Sequence, residues 1–392
     1  MAVLSDANAN VDHRSTAEAD RYKPVRRWLW SVAALVLLMV AVGGATRLTD
    51  SGLSITEWRP ITGTIPPLSM KAWEAELEKY RQIPEYQRIN RGMSMAEFQF
   101  IYWWEWGHRF LGRVIGLAFV LPLVYFAVRK ALPPRSMPKL LGLLALGGLQ
   151  GFIGWWMVAS GLTERVDVSQ YRLGVHLTMA AIILASIAWV AQSLKPLDPA
   201  LAERRASPAF GAVTSIILSL FVLVQIFLGA LVAGVDAGLT YTTWPLMDGN
   251  FIPPVAKLLI QDPWFANFGE NPLTVQWVHR MGAYGLLAFA LFHAWRMSRH
   301  ASDTRDARMA RMLAVIIAMQ GVIGIVTLLT QVEVEWALLH QFWAFMILTV
   351  TVLHVARLRG VGLVLDPVPA NAKKPAPGSS GAGLMIDEGR AA

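Results

Sequence analysis

The chain has 392 residues, 55% of them apolar and only 16% charged, with a mean hydropathy of +0.43, which is too apolar for a soluble domain of this length. Its net charge of +8 does not mark a nucleic-acid partner, because Lys and Arg gather at alternate ends of apolar segments rather than on one basic face. The absence of cysteine excludes disulfides, thiolate-bound metal and cysteine nucleophiles, so any metal must be held by histidine, methionine or carboxylate.

Residues 1–27 carry Asp6, Asp12, Glu18 and Asp20, which suits neither an acid-poor transit peptide nor the short basic start of a cleaved signal, and they read as a disordered tail. Apolar stretches long enough to cross a bilayer, roughly 20 residues, follow at 28–46, 110–128, 140–159, 174–193, 211–234, 274–296, 310–330 and 336–357. Eight spans result. Arg26, Arg27, Arg129, Lys130, Arg135, Lys139, Lys195, Arg204, Arg205, Arg296, Arg299, Arg305, Arg308, Arg311, Arg357 and Arg359 fall on one side of them, so that side and both termini are expected to be cytoplasmic. The segments 47–107 and 235–273 are long outer loops rich in Pro and Trp, of a kind that often acts as a lid. The end of the chain, with Pro-Gly-Ser-Ser-Gly-Ala-Gly at 377–383, is low in complexity and expected to be disordered.

The spans repeat as two sets of four. Asp50-Ser-Gly-Leu-Ser after the first span matches Asp236-Ala-Gly-Leu-Thr after the fifth; His108-Arg109 matches His279-Arg280; Gln150 to Gly154 matches Gln320 to Gly324; His176 matches His340. Four landmarks in one order predict a parallel internal repeat. The expected fold is therefore an all-α polytopic membrane protein, with eight transmembrane helices in two tandem pseudo-symmetric four-helix bundles and cytoplasmic N and C termini. Its parts are a cytoplasmic tail at 1–27, an N-terminal half at 28–195, a cytoplasmic linker at 196–209, a C-terminal half at 210–358 and a cytoplasmic tail at 359–392.

His108, His176, His279 and His340 each lie where the chain enters the membrane from an outer loop. Two such imidazoles on facing helices suit the iron of a haem, and the gap between helices suits its flat ring. Gly112 and Gly116 share the helix face of His108, and Gly282 that of His279, which would let a flat ring approach the backbone. The bland alternative is that membrane histidines bridge helices by hydrogen bonds and glycines mediate packing. A rival metal arrangement uses His293 and His354, each fourteen residues after a histidine of the second half and roughly 21 Å deeper on an ideal helix, to stack a second haem. The first half has Pro122 and Val190 at those positions.

Glu105, three residues before His108, could accept a proton or stabilise charge, or could merely be a helix-start acid facing the macrodipole. The second half has Gln276 in its place, which makes the first half the better candidate for chemistry. Arg109 and Arg280 could pair with haem propionates or snorkel to the surface.

These residues resemble the haem A synthase family, through Gly43 to Ser54, Glu105 to Arg113, Gly174-Val-His-Leu177, Thr274 to Arg280 and Leu338-Leu-His-Gln341. The resemblance covers about residues 25–358, and the lack of cysteine matches the family's cysteine-free subgroup of proteobacteria and mitochondria. It implies haem b as a cofactor on His279 and His340, with Arg280 beside it, haem O as the substrate on His108 and His176, and Glu105 as the catalytic residue. It also implies oxidation of the C8 methyl of haem O to a formyl group, giving haem A for cytochrome oxidase. The expected setting is the bacterial inner membrane with the haem sites toward the periplasm. Haem O synthase and the cytochrome oxidase assembly machinery are the implied partners. The sequence names neither the electron acceptor, nor the source of oxygen, nor whether the chain forms a homo-oligomer. A di-haem electron-transfer cytochrome b, a haem carrier or chaperone and a transporter are the competing classes.

Overall fold

The structure is a computed structural model that describes residues 21–133, 135–197, 210–247, 249–301 and 303–363. The expected tails at 1–20 and 364–392 and the linker from 198 to 209 lie outside the described residues. In chain order the helices are α1 (Lys23–Leu48), α2 (Met70–Tyr80), α3 (Pro84–Arg88), α4 (Met95–Val128), α5 (Met137–Ala159), α6 (Gln170–Ser193), α7 (Phe210–Gly234), α8 (Ala237–Thr240), α9 (Val255–Leu258), α10 (Asn267–Glu270), α11 (Pro272–His300), α12 (Thr304–Leu329) and α13 (Val334–Leu358). No strand is present among the described residues, where only isolated bridges such as Pro196 with Leu363 occur.

Seven of the long helices, α1, α4, α5, α6, α7, α12 and α13, are long and apolar enough to cross a membrane. The eighth, α11, has 29 residues but carries Gln276, His279, Arg280, His293, Arg296 and Arg299 along its length. Helix ends also differ from the apolar stretches that announce them. α1 starts at Lys23 with Pro in its first turn, where a fixed φ and a missing N–H cost nothing, so residues 23–27, expected in the disordered tail, are helical. α4 starts fifteen residues before the apolar stretch at 110, behind a full capping box in which Ser94 and Glu97 satisfy each other's backbone donors. Hydropathy registers only the apolar centre of a helix; the α1 extension is basic, and the aromatic residues of the α4 extension are broken up by Glu97, Gln99, Glu105, His108 and Arg109.

α1 packs against α4 and α6, and α5 against α4 and α6; in the second half α7 packs against α11 and α13, and α12 against α11 and α13. The two groups meet through α6 with α7, α6 with α13 and α1 with α13. One apolar core runs through both, from Leu29 and Leu184 to Leu218, Leu313 and Phe345. The segment between α1 and α4 is a folded cap: Trp73, Leu77, Tyr80 and Ile83 pack on Phe98, Ile101 and Tyr102 of the α4 extension. The segment between α7 and α11 has a smaller core of Met247 and Leu258 with Leu273 of α11. Both segments start from an aspartate in the left-handed region, Asp50 at φ 47° and Asp236 at φ 49°, a conformation Asp tolerates better than most residues.

Candidate functional site

Each of the four histidines lies against a glycine on a neighbouring helix. A Cβ added to Gly43 of α1 would stand 3.0 Å from His108 Nε2, and one added to Gly229 of α7 would stand 3.2 Å from His279 Cε1. On the other side, a Cβ at Gly154 of α5 would be 2.9 Å from His176 Cε1, and one at Gly324 of α12 would be 2.7 Å from His340 Cε1. Real Cβ atoms essentially never approach as closely as at Gly154 and Gly324, so these two must lack a Cβ for the imidazoles to sit as they do, while at Gly43 and Gly229 the histidine would have to give way by a few tenths of an ångström. Glutamines supply the polar contacts. Gln150 Nε2 donates to the His176 carbonyl at 3.1 Å, Gln320 Nε2 to the His340 carbonyl at 2.9 Å, and Gln225 Nε2 to the His279 carbonyl at 2.8 Å.

His279 and His340 face each other with ring centroids 6.5 Å apart. Metal–imidazole bonds of about 2 Å on opposite sides of one ion put the two ring centroids about 6 Å apart, so the spacing fits an iron porphyrin between them. Nδ1 of His340 and Nδ1 of His176 are buried with no hydrogen-bond partner, which leaves a nitrogen donor free on one histidine of each pair. Imidazole nitrogens that face each other, as in the His279–His340 pair, are a ligand set that haem iron takes.

The deeper pair is different. His293 Nε2 lies 3.1 Å from His354 Nε2, and His293 Nδ1 lies 2.8 Å from Thr214 Oγ1. Two iron–nitrogen bonds end to end need about 4 Å, and both side chains are fully buried. The histidines bond each other directly, and a stacked second haem has no room between them.

Glu105 is 2% exposed and both its oxygens are engaged. Oε2 accepts from Ser54 Oγ and the Ile55 N–H, each at 2.7 Å, and Oε1 accepts from Arg109 Nη2 at 2.6 Å. Arg109 also donates to the Ile55 and Glu57 carbonyls. In the second half Gln276 Nε2 donates to the Ala237 and Tyr241 carbonyls, while Arg280 Nη2 donates to Gln276 Oε1 at 2.8 Å and to the Thr243 carbonyl at 2.8 Å. The two arginines thus fasten the segments at 55–57 and 241–243 to α4 and α11. Glu105 lies ten residues inside α4, so its macrodipole reading lapses, because that field fades within the first turn.

Gly112, Gly116 and Gly282, expected to leave room for a flat ring, do not contact the histidines: Gly112 faces Met39, Gly282 faces Gln225, and a Cβ at Gly116 would meet nothing within 4 Å. The glycines against the histidines are Gly43, Gly154, Gly229 and Gly324. Their signal was in the sequence, since Gln150 to Gly154 recurs as Gln320 to Gly324 and Gly43 precedes Asp50 as Gly229 precedes Asp236, but repetition alone does not say what a landmark touches.

Residues 26–352 match the family described as cytochrome oxidase assembly protein. Among curated proteins, a "Heme A synthase" of Agrobacterium fabrum is 50% identical over 89% of this chain and 95% of its own length. That of Azorhizobium caulinodans is 51% identical over 85% and 94%, and that of Brucella ovis 48% identical over 92% and 99%.

Proposed function

The chain belongs to the haem A synthase family, and from that premise we propose that it oxidises the C8 methyl of haem O to a formyl group, as an oxidoreductase acting on a CH group. In this reading α11 spans the membrane with the other seven long helices, the two groups of four are repeat-related halves, both termini are cytoplasmic, and the histidine pairs lie toward the periplasmic side of a bacterial inner membrane. Haem O as substrate takes His108 and His176. His279 and His340 hold haem b, whose bound iron supplies a one-electron redox centre. Haem O synthase upstream and cytochrome oxidase assembly downstream follow as partners from the chemistry of substrate and product.

The observation that carries the direction of the reaction is the single ionisable difference between two matched latches. Arg109 grips Glu105 in one half and Arg280 grips Gln276 in the other. Oxidising a methyl group draws electrons and protons out of one carbon at the ring edge. A carboxylate beside it, held by three donors, presents a negative charge at a fixed position to the cationic character that develops there. Ser54 and the Ile55 N–H orient that carboxylate, and the cap formed by α2 and α3 covers this end of α4 and limits water entry.

The test is expression with a source of haem O, followed by extraction and chromatography of the haems, for the wild type and Glu105→Gln. The variant keeps an acceptor for Arg109, as Gln276 does for Arg280, but loses the acceptor of the Ile55 N–H; with a retained haem b spectrum as the check on folding, formyl product should fall by roughly a hundredfold or more. Unchanged product from Glu105→Gln would remove Glu105 from the chemistry. Unmodified haem O from the wild type would favour a di-haem cytochrome or a haem chaperone.

A further inference from the structure

Three of the four histidines have a glutamine donating to their main-chain carbonyl, and each of these glutamines also reaches the ring: Gln225 Nε2 lies 3.0 Å from His279 Nδ1, and Gln150 and Gln320 Nε2 lie 3.4 Å from Nε2 of His176 and His340. His108 has no such partner among the described residues. The matching position is fixed by the glycines: Gln225 is four residues before Gly229, which packs on His279, and Met39 is four residues before Gly43, which packs on His108. Both side chains enter the same kind of gap. Gln225 reaches the α11 backbone at Gly282, and the Met39 methyl reaches the α4 backbone at Gly112, 3.1 Å from where a Cβ would stand.

We infer that positions 225 and 39 decide which porphyrin stays and which leaves: Gln225 locks His279 as a permanent ligand, and Met39 leaves His108 free to release its porphyrin after turnover. This rests on the proposed assignment of cofactor and substrate to the two halves. An imidazole bound to a metal is normally oriented by a hydrogen bond to its other nitrogen, and losing that partner weakens metal binding by about 10- to 100-fold. An amide suits the task because it carries a donor and an acceptor, and Gln225 Oε1 is buried with no partner of its own, so the side chain has an end to offer either imidazole tautomer. A thioether offers only a weak acceptor and soft packing. A substrate site that turns over needs a ligand that lets go, whereas a cofactor site gains from one that does not. Gln225 and Met39 are positioning residues, acting through the histidines.

The experiment uses the full chain, purified with its haem, and compares wild type, Gln225→Met, Met39→Gln and His279→Ala. Haem loss is followed by transfer to excess apomyoglobin, and the low-spin electron paramagnetic resonance signal reports axial ligand orientation. Gln225→Met should lose haem b about 10- to 100-fold faster with a shifted low-spin signal. With haem O supplied, Met39→Gln should retain substrate or product haem that the wild type releases, a gain that misfolding cannot imitate. Unchanged loss rate and spectrum in Gln225→Met, where His279→Ala does lose haem, would overturn the inference and leave the functional proposal standing. Haem fully retained by His279→Ala would overturn the assignment beneath both.

Discussion

Glu85 sits under the outer cap, 6% exposed, with Oε2 unpaired. Burial, then the charges of Asp167, Glu105 and Asp50, push its carboxyl up to about 8, against a smaller opposing pull from the Tyr80 hydroxyl. A carboxyl that binds its proton more tightly in the folded cap than in the unfolded chain makes folding most favourable at low pH. Stability contributed by this group should fall as pH climbs from the ordinary carboxylate range to about 8, and then level off. Thermal unfolding across that range checks it: Glu85→Gln should flatten the slope, and an unchanged slope would mean that other groups set it. Nothing in Pro84-Glu-Tyr-Gln-Arg88 announces a buried acid. Its burial comes from α2 and α4 closing over it, and a local reading of five polar residues puts them in water. The histidines and Glu105 were legible for the opposite reason, because ionisable groups beside apolar stretches stand out one at a time. Their partners were not, since Ser54 reaches Glu105 across 51 positions and Gly43 reaches His108 across 65.

At the scale of helices, the glycine contacts form a graded series. A Cβ would approach His340 to 2.7 Å at Gly324 and His176 to 2.9 Å at Gly154, but His279 only to 3.2 Å at Gly229. Overpacking a well-filled helix interface costs about 1–3 kcal/mol when the neighbour cannot give way. Gly324→Ala and Gly154→Ala should therefore displace their histidines more than Gly229→Ala does. Gly324→Ala should show the larger fall in haem b retained per chain, read from the Soret band after purification. Equal retention in Gly324→Ala and Gly229→Ala would mean that the helices separate to absorb the methyl. Hydropathy located the helices well, and its errors have one origin. The capping box at Ser94 and Glu97 and the proline after Lys23 mark true helix starts, yet both lie outside the long apolar stretches, where charged residues interrupt the sequence. α11 shows the converse: the stretch at 274–296 is long enough to span, yet its Gln, His and Arg residues keep the helix out of the seven that are apolar enough to do so.

Across the whole molecule, one arginine straddles the two halves. Arg47 Nη1 bonds Asp50 at 3.0 Å, and Nη2 bonds Asp236 at 3.0 Å and the Ala233 carbonyl at 3.2 Å. Asp50 and Asp236 are matching landmarks of the proposed repeat, and Ala233 stands three residues before Asp236 as Arg47 stands three before Asp50. A single cation thus serves a pair of acids that the proposed repeat generates twice, with Asp167 a further 3.9 Å contact. The recurring landmarks are visible in the sequence but this junction is not, because an internal match gives an order along the chain and says nothing of which faces meet. Burial raises the Asp236 carboxyl, and Arg47 pulls it back. Arg47→Met removes that pull, so the carboxyl rises further and the junction loses stability over a wider span of rising pH. The ion pairs are partly exposed, so the loss should be modest, about 1–2 kcal/mol. It should shrink in high salt, where the wild type's own advantage is screened. Thermal unfolding of both proteins in matched detergent, at acid and neutral pH and at two salt concentrations, measures this directly. If the difference between the two proteins is the same in all four conditions, packing rather than charge joins the halves at this point.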